Sequence, residues 1–213
     1  MEHYLCELKS DAKGVVFTEN IEGIDEWPHS WPDGEISYRL NNLTGDISNE
    51  SHQHRAVTVS LRAWQLRINK LKFRRERNPD VSVDFDVSFE PLSHFDNKKG
   101  VLAHAYFPGQ GEMSGDCHIN DEWNWVTSSL FQKLSTPPLV PILIHEFGHS
   151  LGLRHDNTDT QSIMYPSFNL GVKKNRLGPR DIQRIQERYG ARKLSQRIID
   201  YFQRRRDRGS DFR

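Results

Sequence analysis

The longest periodic pattern of apolar residues lies between residues 51 and 71. Its apolar positions recur at helical spacing and are Val57, Leu61, Trp64, Ile68 and Leu71. This spacing puts the five side chains on one face of an amphipathic helix. The sequence therefore predicts a helix over residues 51–71 that packs this stripe into the core, preceded by a strand at residues 36–40.

A different period follows in the second quarter of the chain. Between residues 81 and 89, apolar and polar residues alternate, the apolar ones being Val83, Phe85, Val87 and Phe89. A period of two is typical of a half-buried strand. A second strand is predicted at residues 101–107, and the pattern is then broken between residues 120 and 138.

Two further helices are predicted in the last third of the chain. Residues 139–153 are mostly apolar and are entered through Pro137, Pro138 and Pro141, which suit a helix start. A shorter helix carries Ile182, Ile185 and Tyr189, with Pro179 placed to begin it and Gly190 placed to end it.

The domain organisation follows from the length and from these elements. A chain of 213 residues is long enough for one domain with a substantial core. We expect an irregular N-terminal segment over residues 1–30, a folded domain over residues 31–190, and a basic amphipathic tail over residues 191–213. The tail is interpreted as a solvated helix, and a docking patch for an anionic partner is the alternative.

The overall charge excludes several classes of partner. Lysine plus arginine and aspartate plus glutamate both total 29, so no nucleic-acid partner is expected. No apolar run is long enough to span a membrane, and the first 14 residues lack the apolar core of a signal peptide. We therefore expect a soluble monomer. Ten histidines and two cysteines favour imidazole ligands for a metal, although Cys6 and Cys117 could also pair.

The motif that carries chemistry is His-Glu-Phe-Gly-His-Ser-Leu-Gly-Leu-Arg-His, at residues 145–155. His145 and His149 lie four residues apart on the predicted helix, so both imidazoles project from one face toward a single metal ion. Gly152 can adopt a positive φ, end the helix and let the chain bring His155 to the same ion. Three protein ligands leave a fourth position for water.

Glu146 follows the first of these ligands directly. A carboxylate there is placed to take a proton from a water molecule activated by zinc, and later to pass it to a leaving amine. The motif thus predicts hydrolysis of a peptide bond without a covalent acyl-enzyme, with Glu146 as general base and then as general acid.

The extended motif, followed by Ser162-Ile163-Met164-Tyr165-Pro166, resembles the zinc site and Met-turn of the metzincin peptidases, and within them the matrixin branch, the matrix metalloproteinases. The resemblance covers about residues 31–190. It implies an α+β fold with a twisted, mostly parallel sheet, an active-site helix, a Met-turn with Met164 beneath the metal, and a C-terminal helix. Asp156 departs from the Ser or Thr that matrixins usually have there. It could orient the Met-turn or be solvated.

A second group of histidines matches the structural zinc site of the matrixins. This resemblance implies that a closed tetrahedral site is formed by His94, Asp96, His104 and His118. It also implies a calcium site at Asp84 and Asp116, completed by backbone carbonyls, which the sequence leaves open. A further calcium site of the family is not expected, because the loop between His94 and His104 is short and Asn120 replaces an aspartate.

The resemblance also implies where a substrate binds. An extended peptide would lie along the strand at residues 101–107, at Leu102 and Ala103. Its side chain after the scissile bond would enter an apolar pocket formed by Leu143, Ile144, Tyr165, Pro166 and Phe168. The predicted function is therefore a zinc-dependent metalloendopeptidase that acts on protein or peptide substrates. The alternatives are a zinc-stabilised peptide-binding module without turnover, and a zinc hydrolase that acts on another bond.

Latency and location are less determined by the sequence. Cys6 can be compared with the cysteine that blocks zinc in matrixin pro-segments, but its surroundings lack the Pro-Arg-Cys-Gly context. A free or paired thiol is the favoured interpretation. The family resemblance implies an extracellular location, where the sequons that begin at Asn42 and Asn49 would be meaningful.

Overall fold

The computed structural model of the chain describes residues 5–10, 15–18, 27–109, 111–127, 136–169 and 176–193. For residues 5–10, 15–18 and 167–169 it describes the backbone. Most of the predicted tail helix, from residue 194 onward, lies outside the described residues.

In the described part of the chain, eight strands form one sheet. In chain order they are β1 (Leu5–Ser10), β2 (Val15–Thr18), β3 (Gly34–Leu40), β4 (Leu71–Arg75), β5 (Phe85–Glu90), β6 (Val101–Tyr106), β7 (Cys117–Asn120) and β8 (Ser167–Asn169). Their order across the sheet is β4-β3-β5-β7-β6-β1-β2-β8. Four strands at one side of the sheet, β4, β3, β5 and β7, are parallel to one another. The next strand, β6, runs antiparallel to β7. The expected α+β fold with a mostly parallel core sheet is confirmed.

Among the described residues, three α-helices accompany the sheet: α1 (Glu50–Gln65), α2 (Leu139–Ser150) and α3 (Pro179–Tyr189). The indole Nε1 of Trp64 on α1 donates to the carbonyl oxygen of Ile144 on α2 at 2.9 Å. The apolar faces of α1, α2 and the sheet form one continuous core. None of the helices in the described part of the chain is long and apolar enough to cross a membrane.

The first helix is shorter than its apolar stripe predicts. It ends at Gln65, and Leu71, the last residue of the stripe, begins β4. Ile68 and Leu71 are nevertheless buried. The chain leaves the helix so that β4 can pair with β3, and Ile68 bridges to Ala191. A helix and a helix-turn-strand bury the same two residues, so the apolar spacing could not separate them.

The shorter helix α3 begins and ends as its sequence indicates. Pro179 is its first residue, where the missing N–H costs nothing, and Gly190 ends it with φ 70°. Tyr189 is buried, and its hydroxyl donates to the carbonyl oxygen of Leu151 at the end of α2 at 2.9 Å. The two predicted helices of the last third are therefore joined directly.

The N-terminal segment differs from the irregular structure that was predicted for residues 1–30. Within it, β1 and β2 form an antiparallel hairpin that joins the sheet between β6 and β8. Short strands without strong alternation are stabilised here by partners far along the chain. Local pattern carries no information about such pairing.

Candidate active site

Two histidines of α2 converge at its C-terminal half. The Nε2 atoms of His145 and His149 lie 3.0 Å apart. Their other ring nitrogens are engaged with backbone carbonyls: His145 Nδ1 with Ile163 and His149 Nδ1 with Leu153, both at 2.7 Å. A ring that donates its N–H from Nδ1 keeps the Nε2 lone pair for a metal.

The third histidine is brought close to the other two by a sharp turn at the end of α2. Gly152 has φ 90°, a left-handed conformation that favours glycine, and the N–H of Leu153 donates to the carbonyl oxygen of Gly148 at 2.8 Å. The ring of His155 then lies 4.8 Å from that of His149 and 5.3 Å from that of His145, between centroids. The turn predicted at Gly152 is present.

The three rings suit a shared cation. One nitrogen from each of His145, His149 and His155 lies within 4.8 Å of the others. Burial lowers the pKa of His149 well below its usual range and that of His155 to about 2, and the neighbouring histidines lower both further. The rings of His149 and His155 are therefore neutral, as metal ligation requires. Neutral nitrogens that face one another with lone pairs repel unless a cation lies between them, so the group fits a bound zinc ion.

Glu146 lies beside this cluster and has no exposed surface. Neither carboxylate oxygen has a hydrogen-bond partner in the described part of the chain. Burial raises the pKa of Glu146 well above its usual range. A buried carboxyl group without a partner is costly unless it serves a ligand or a reaction.

The segment after His155 packs against the active-site helix α2. Met164 is completely buried and packs on Gly148 of α2: a Cβ added to that glycine would lie 2.3 Å from Met164 Sδ. Glycine is thus required at residue 148 for this close approach. Sequence reasoning missed Gly148, although its place between the first two ligands was a usable signal.

Asp181, in the first turn of α3, holds the Met-turn in place. Its Oδ2 accepts hydrogen bonds from the backbone N–H groups of Ile163 and Gly178 at 2.8 and 2.7 Å. Its Oδ1 accepts from the hydroxyl of Ser162. Asp181 has no exposed surface. Its role was also missed, because nothing in the local pattern relates a helix-capping aspartate to a turn some 18 residues earlier.

Asp156 is tied to the same region by its backbone and its side chain. Its N–H donates to the carbonyl oxygen of Met164 at 2.9 Å, while its carboxylate accepts from Thr158 and from Arg180 Nε at 2.5 Å. The sequence left open whether this carboxylate orients the Met-turn or is solvated. The structure shows it buried and hydrogen-bonded rather than solvated.

A second group of ligands is formed by His94, His104 and His118. His94 Nε2 lies 2.8 Å from His118 Nδ1 and 3.3 Å from His104 Nε2. His104 Nε2 lies 3.0 Å from His118 Nδ1. The rings come from a 3₁₀ turn (Leu92–Phe95), β6 and β7, and His104 and His118 lie directly opposite each other in the sheet. Burial lowers the pKa of His104 to about 2 and that of His118 to about 4, with neighbouring histidines adding to both shifts.

The predicted carboxylate ligands lie apart from these groups. Asp96 is not brought together with the three histidines: its side chain is 81% exposed and forms an ion pair with Lys98 at 3.6 Å. Asp84 and Asp116 belong to no group of three ligands among the described residues. Asp84 accepts from the N–H and hydroxyl of Ser37, and Asp116 accepts from the N–H of Asp86.

The predicted substrate-binding residues lie in β6, in α2 and in the segment after Met164. Leu102 and Ala103 lie in β6, and Leu143 and Ile144 lie in α2, all buried. Tyr165 and Pro166 follow Met164 and are partly buried. Phe168 is the middle residue of β8. Phe107, just after β6, contacts the ring of His149 at 5.3 Å between centroids.

Comparison with known proteins gives a consistent result. A sequence model of the matrixin family matches residues 27–190. The chain is 36% identical to matrilysin of Felis catus over 174 residues, which is 78% of this chain and 62% of the relative. It is 35% identical to stromelysin-2 of Rattus norvegicus over 190 residues, 84% of this chain and 37% of that protein. It is also 34% identical to neutrophil collagenase of Homo sapiens, over 75% of this chain and 33% of the collagenase.

These relatives are metalloendopeptidases, and the family is one of zinc enzymes. The chain spans less than two thirds of the length of each of the three. The matched residues include both histidine groups, Glu146 and the Met-turn. The chain belongs to the matrixin family.

Proposed function

We propose that this protein is a zinc-dependent endopeptidase that cleaves internal peptide bonds at the first histidine group. The observation that carries the proposal is the convergence of three imidazoles beside a buried carboxyl group that has no hydrogen-bond partner among the described residues. Family membership supports it, since members of the family are metalloendopeptidases.

His145, His149 and His155 would hold the zinc ion. When bound there, zinc polarises a substrate carbonyl and makes a neighbouring water molecule more acidic. Glu146 accepts the proton of that water as it attacks the carbonyl carbon, and then delivers the proton to the leaving amine. Burial raises the pKa of Glu146, which makes its carboxylate a stronger proton acceptor for the attacking water.

The other contacts position these groups. The carbonyl oxygens of Ile163 and Leu153 fix the orientations of His145 and His149. Asp181 and Gly148 hold Met164 against α2. Met164 thereby supports the helix that carries two ligands and the base.

The second histidine group is proposed to hold a structural zinc ion. His94, His104 and His118 join the 3₁₀ turn to β6 and β7, and a metal there would fix these elements relative to one another. Asp96 completes the group only by moving inward from its exposed position. Calcium at Asp84 and Asp116 is proposed from the family alone.

The substrate is proposed to be an extended peptide that pairs with β6 and places an apolar side chain between α2 and the segment after the Met-turn. Main-chain hydrogen bonds to a strand give affinity without sequence preference, so the pocket would supply the specificity. Burying a medium-sized apolar side chain is worth roughly 1.5–3 kcal/mol, whereas an unpaired charge in the same pocket costs more. We expect Leu, Ile, Met or Phe after the scissile bond.

The test is a peptide-library cleavage profile with a zinc chelator as control. We expect chelator-sensitive cleavage and a preference for Leu over Asp above about 100-fold in kcat/KM at that position. In the Phe168→Ala variant the preference should relax while the zinc content stays unchanged. Binding of peptides without cleavage would favour the binding module instead, and a preference for Asp, Lys or Gly would refute the pocket.

The relatives belong to a family whose members generally act outside the cell, and we propose the same location for this chain. Domain bounds of 31–190, a monomeric state and an anionic partner for residues 191–213 are retained as proposals.

A further inference from the structure

The strand proposed to bind substrate is already paired on both of its edges. On one side β6 pairs with β7, and on the other with β1, from Leu5 opposite Tyr106 to Lys9 opposite Val101. All six residues of β6 are buried, none more than 6% exposed. An open docking strand would present one row of unsatisfied backbone groups. Here β1 occupies that row.

The other strand of the hairpin reaches the opposite wall of the proposed cleft. β2 pairs with β8 from Val15 opposite Asn169 to Phe17 opposite Ser167. β8 directly follows Tyr165 and Pro166, which are proposed to wall the pocket. The hairpin therefore bridges the interval between the docking strand and the pocket wall.

The first histidine group lies within that same interval. The ring of His149 contacts Phe107, the residue after β6. The ring of His145 bonds to Ile163, four residues before β8 begins. Glu146 and His149 have no exposed surface, and His145 is 4% exposed. A cleft that admitted a substrate would leave the base within reach of water.

We propose that the paired strands β1 and β2 form a self-docked hairpin that occupies the substrate cleft and competes with substrate for the edge of β6. The proposal rests on the proposed function, because it concerns access to that same site. The recognition is strand addition, in which backbone hydrogen bonds supply the affinity. Because the competitor is tethered, its effective concentration is of the order of millimolar, which exceeds that of most substrates.

The block acts through the backbone and not through a thiol. Cys6 lies opposite Ala105 in β1, and Cys117 lies opposite the same residue from β7. The two cysteines are therefore two strand spacings apart, about 10 Å, which is beyond the reach of a disulfide. Cys117 is a free, buried thiol.

The experiment compares two double variants of the full-length chain. Cys6→Pro with Glu7→Pro removes two consecutive backbone N–H donors. Consecutive donors point to opposite edges of a strand, so one of the two faces β6 and its loss disrupts the pairing of β1 with β6. Cys6→Ala with Glu7→Ala changes the same side chains and keeps both donors. KM and kcat for a short peptide are measured together with hydrogen exchange of the amides of residues 101–106.

The proline pair should lower KM about 10-fold or more and leave kcat unchanged, since a competitor that fills the cleft for about 90% of the time reduces apparent affinity by that factor. Exchange of the β6 amides should accelerate in parallel. The alanine pair should match the unmodified chain in KM and in exchange. Zinc content and thermal unfolding establish that each variant is folded.

A third form covers the case in which the proline pair does not fold. A recognition sequence for a specific protease, inserted between residues 19 and 26 and cut after purification, should release the hairpin on dilution and reproduce the lower KM. A synthetic peptide of residues 1–18 should restore the higher KM competitively.

Equal KM and equal β6 exchange in the unmodified, proline and cut forms would overturn the proposal. Activation by the alanine pair to the same extent as by the proline pair would also overturn it, because the block would then lie in a side chain such as the Cys6 thiol. If no form cleaved peptides but β6 exchange still rose on loss of the hairpin, the proposed function would fail and the self-docked hairpin would stand.

Discussion

The two histidine groups resemble each other in composition but are built in different ways. His145, His149 and His155 lie within 11 residues on one helix and the turn that ends it. His94, His104 and His118 come from a 3₁₀ turn and two strands, and two of them meet only through the register of β6 with β7. One group is determined by local helical geometry, and the other exists only when the sheet has formed.

The groups also differ in what accompanies the ligands. Beside the first lies Glu146, buried and without a partner in the described part of the chain. The carboxylate predicted for the second, Asp96, is exposed and paired with Lys98. A group with an available proton acceptor is equipped for chemistry, whereas a group of ligands that joins three elements is equipped to hold them together.

The sharpest way to break the comparison is to remove the proton acceptor. Glu146→Gln should lower kcat for peptide cleavage by roughly 10²–10⁴-fold, because the attacking water loses its base. The zinc content should be unchanged, since the histidine ligands remain. The measurement is steady-state kinetics with metal analysis, and Glu112→Gln, at an exposed residue, is the matched control. Turnover close to that of the unmodified chain would refute the mechanism.

The next largest effect is expected from removing one ligand of each proposed zinc site, which should affect activity at one site and stability at the other. We expect about two zinc ions per molecule, of which mild chelation removes the one at the first group, because an open site exchanges faster than a closed one. His149→Ala should lose the labile zinc and the activity. His118→Ala should lose the resistant zinc and roughly 3 kcal/mol of stability, which lowers Tm by about 6–12 °C.

Metal analysis and thermal unfolding measure both outcomes. A single zinc ion per molecule, combined with an unchanged Tm in His118→Ala and His94→Ala, would remove the second group from the comparison.

A moderate effect is expected where the Met-turn meets the active-site helix. Gly148→Ala forces a Cβ to within 2.3 Å of Met164 Sδ and should cost roughly 1–3 kcal/mol through overpacking. The shift of α2 should also lower zinc affinity at the first group and leave the second unchanged. Gly45→Ala is the control, because nothing lies within 4 Å of its added Cβ. Denaturant unfolding and zinc titration test this, and equal behaviour of the two variants would contradict it.

The smallest effect concerns the residue after the third ligand. Asp156→Asn keeps an acceptor for Thr158 but loses the ion pair with Arg180, whose side chain is half exposed. Such a pair is worth roughly 1 kcal/mol or less, so Tm should fall by only a few degrees and the zinc content should stay the same. Loss of zinc in this variant would show that the carboxylate orients the site more strongly than its contacts indicate.

The accuracy of prediction along the chain follows the range of the interactions. The helix α2 and the helix α3 were placed within a few residues, because prolines, glycines and apolar runs act over neighbouring positions. The end of α1 and the strand β4 were missed, because pairing with β3 overrode a helical stripe that continues past Gln65. Gly148 and Asp181 were overlooked for the same reason, since their partners Met164 and Ile163 lie in another element.

The sequence by itself determined the chemistry of this protein: which imidazoles lie one helical turn apart, which carboxylate stands beside them, and where glycine lets the chain turn back. Only the tertiary structure decided that Asp181 binds the backbone of the Met-turn and that Asp96 lies outside its predicted cluster. It also decided that the N-terminal hairpin pairs with the edge of β6. Local geometry repeats wherever its sequence occurs. Strand pairing and buried hydrogen bonds instead depend on partners that the chain meets only when it has folded.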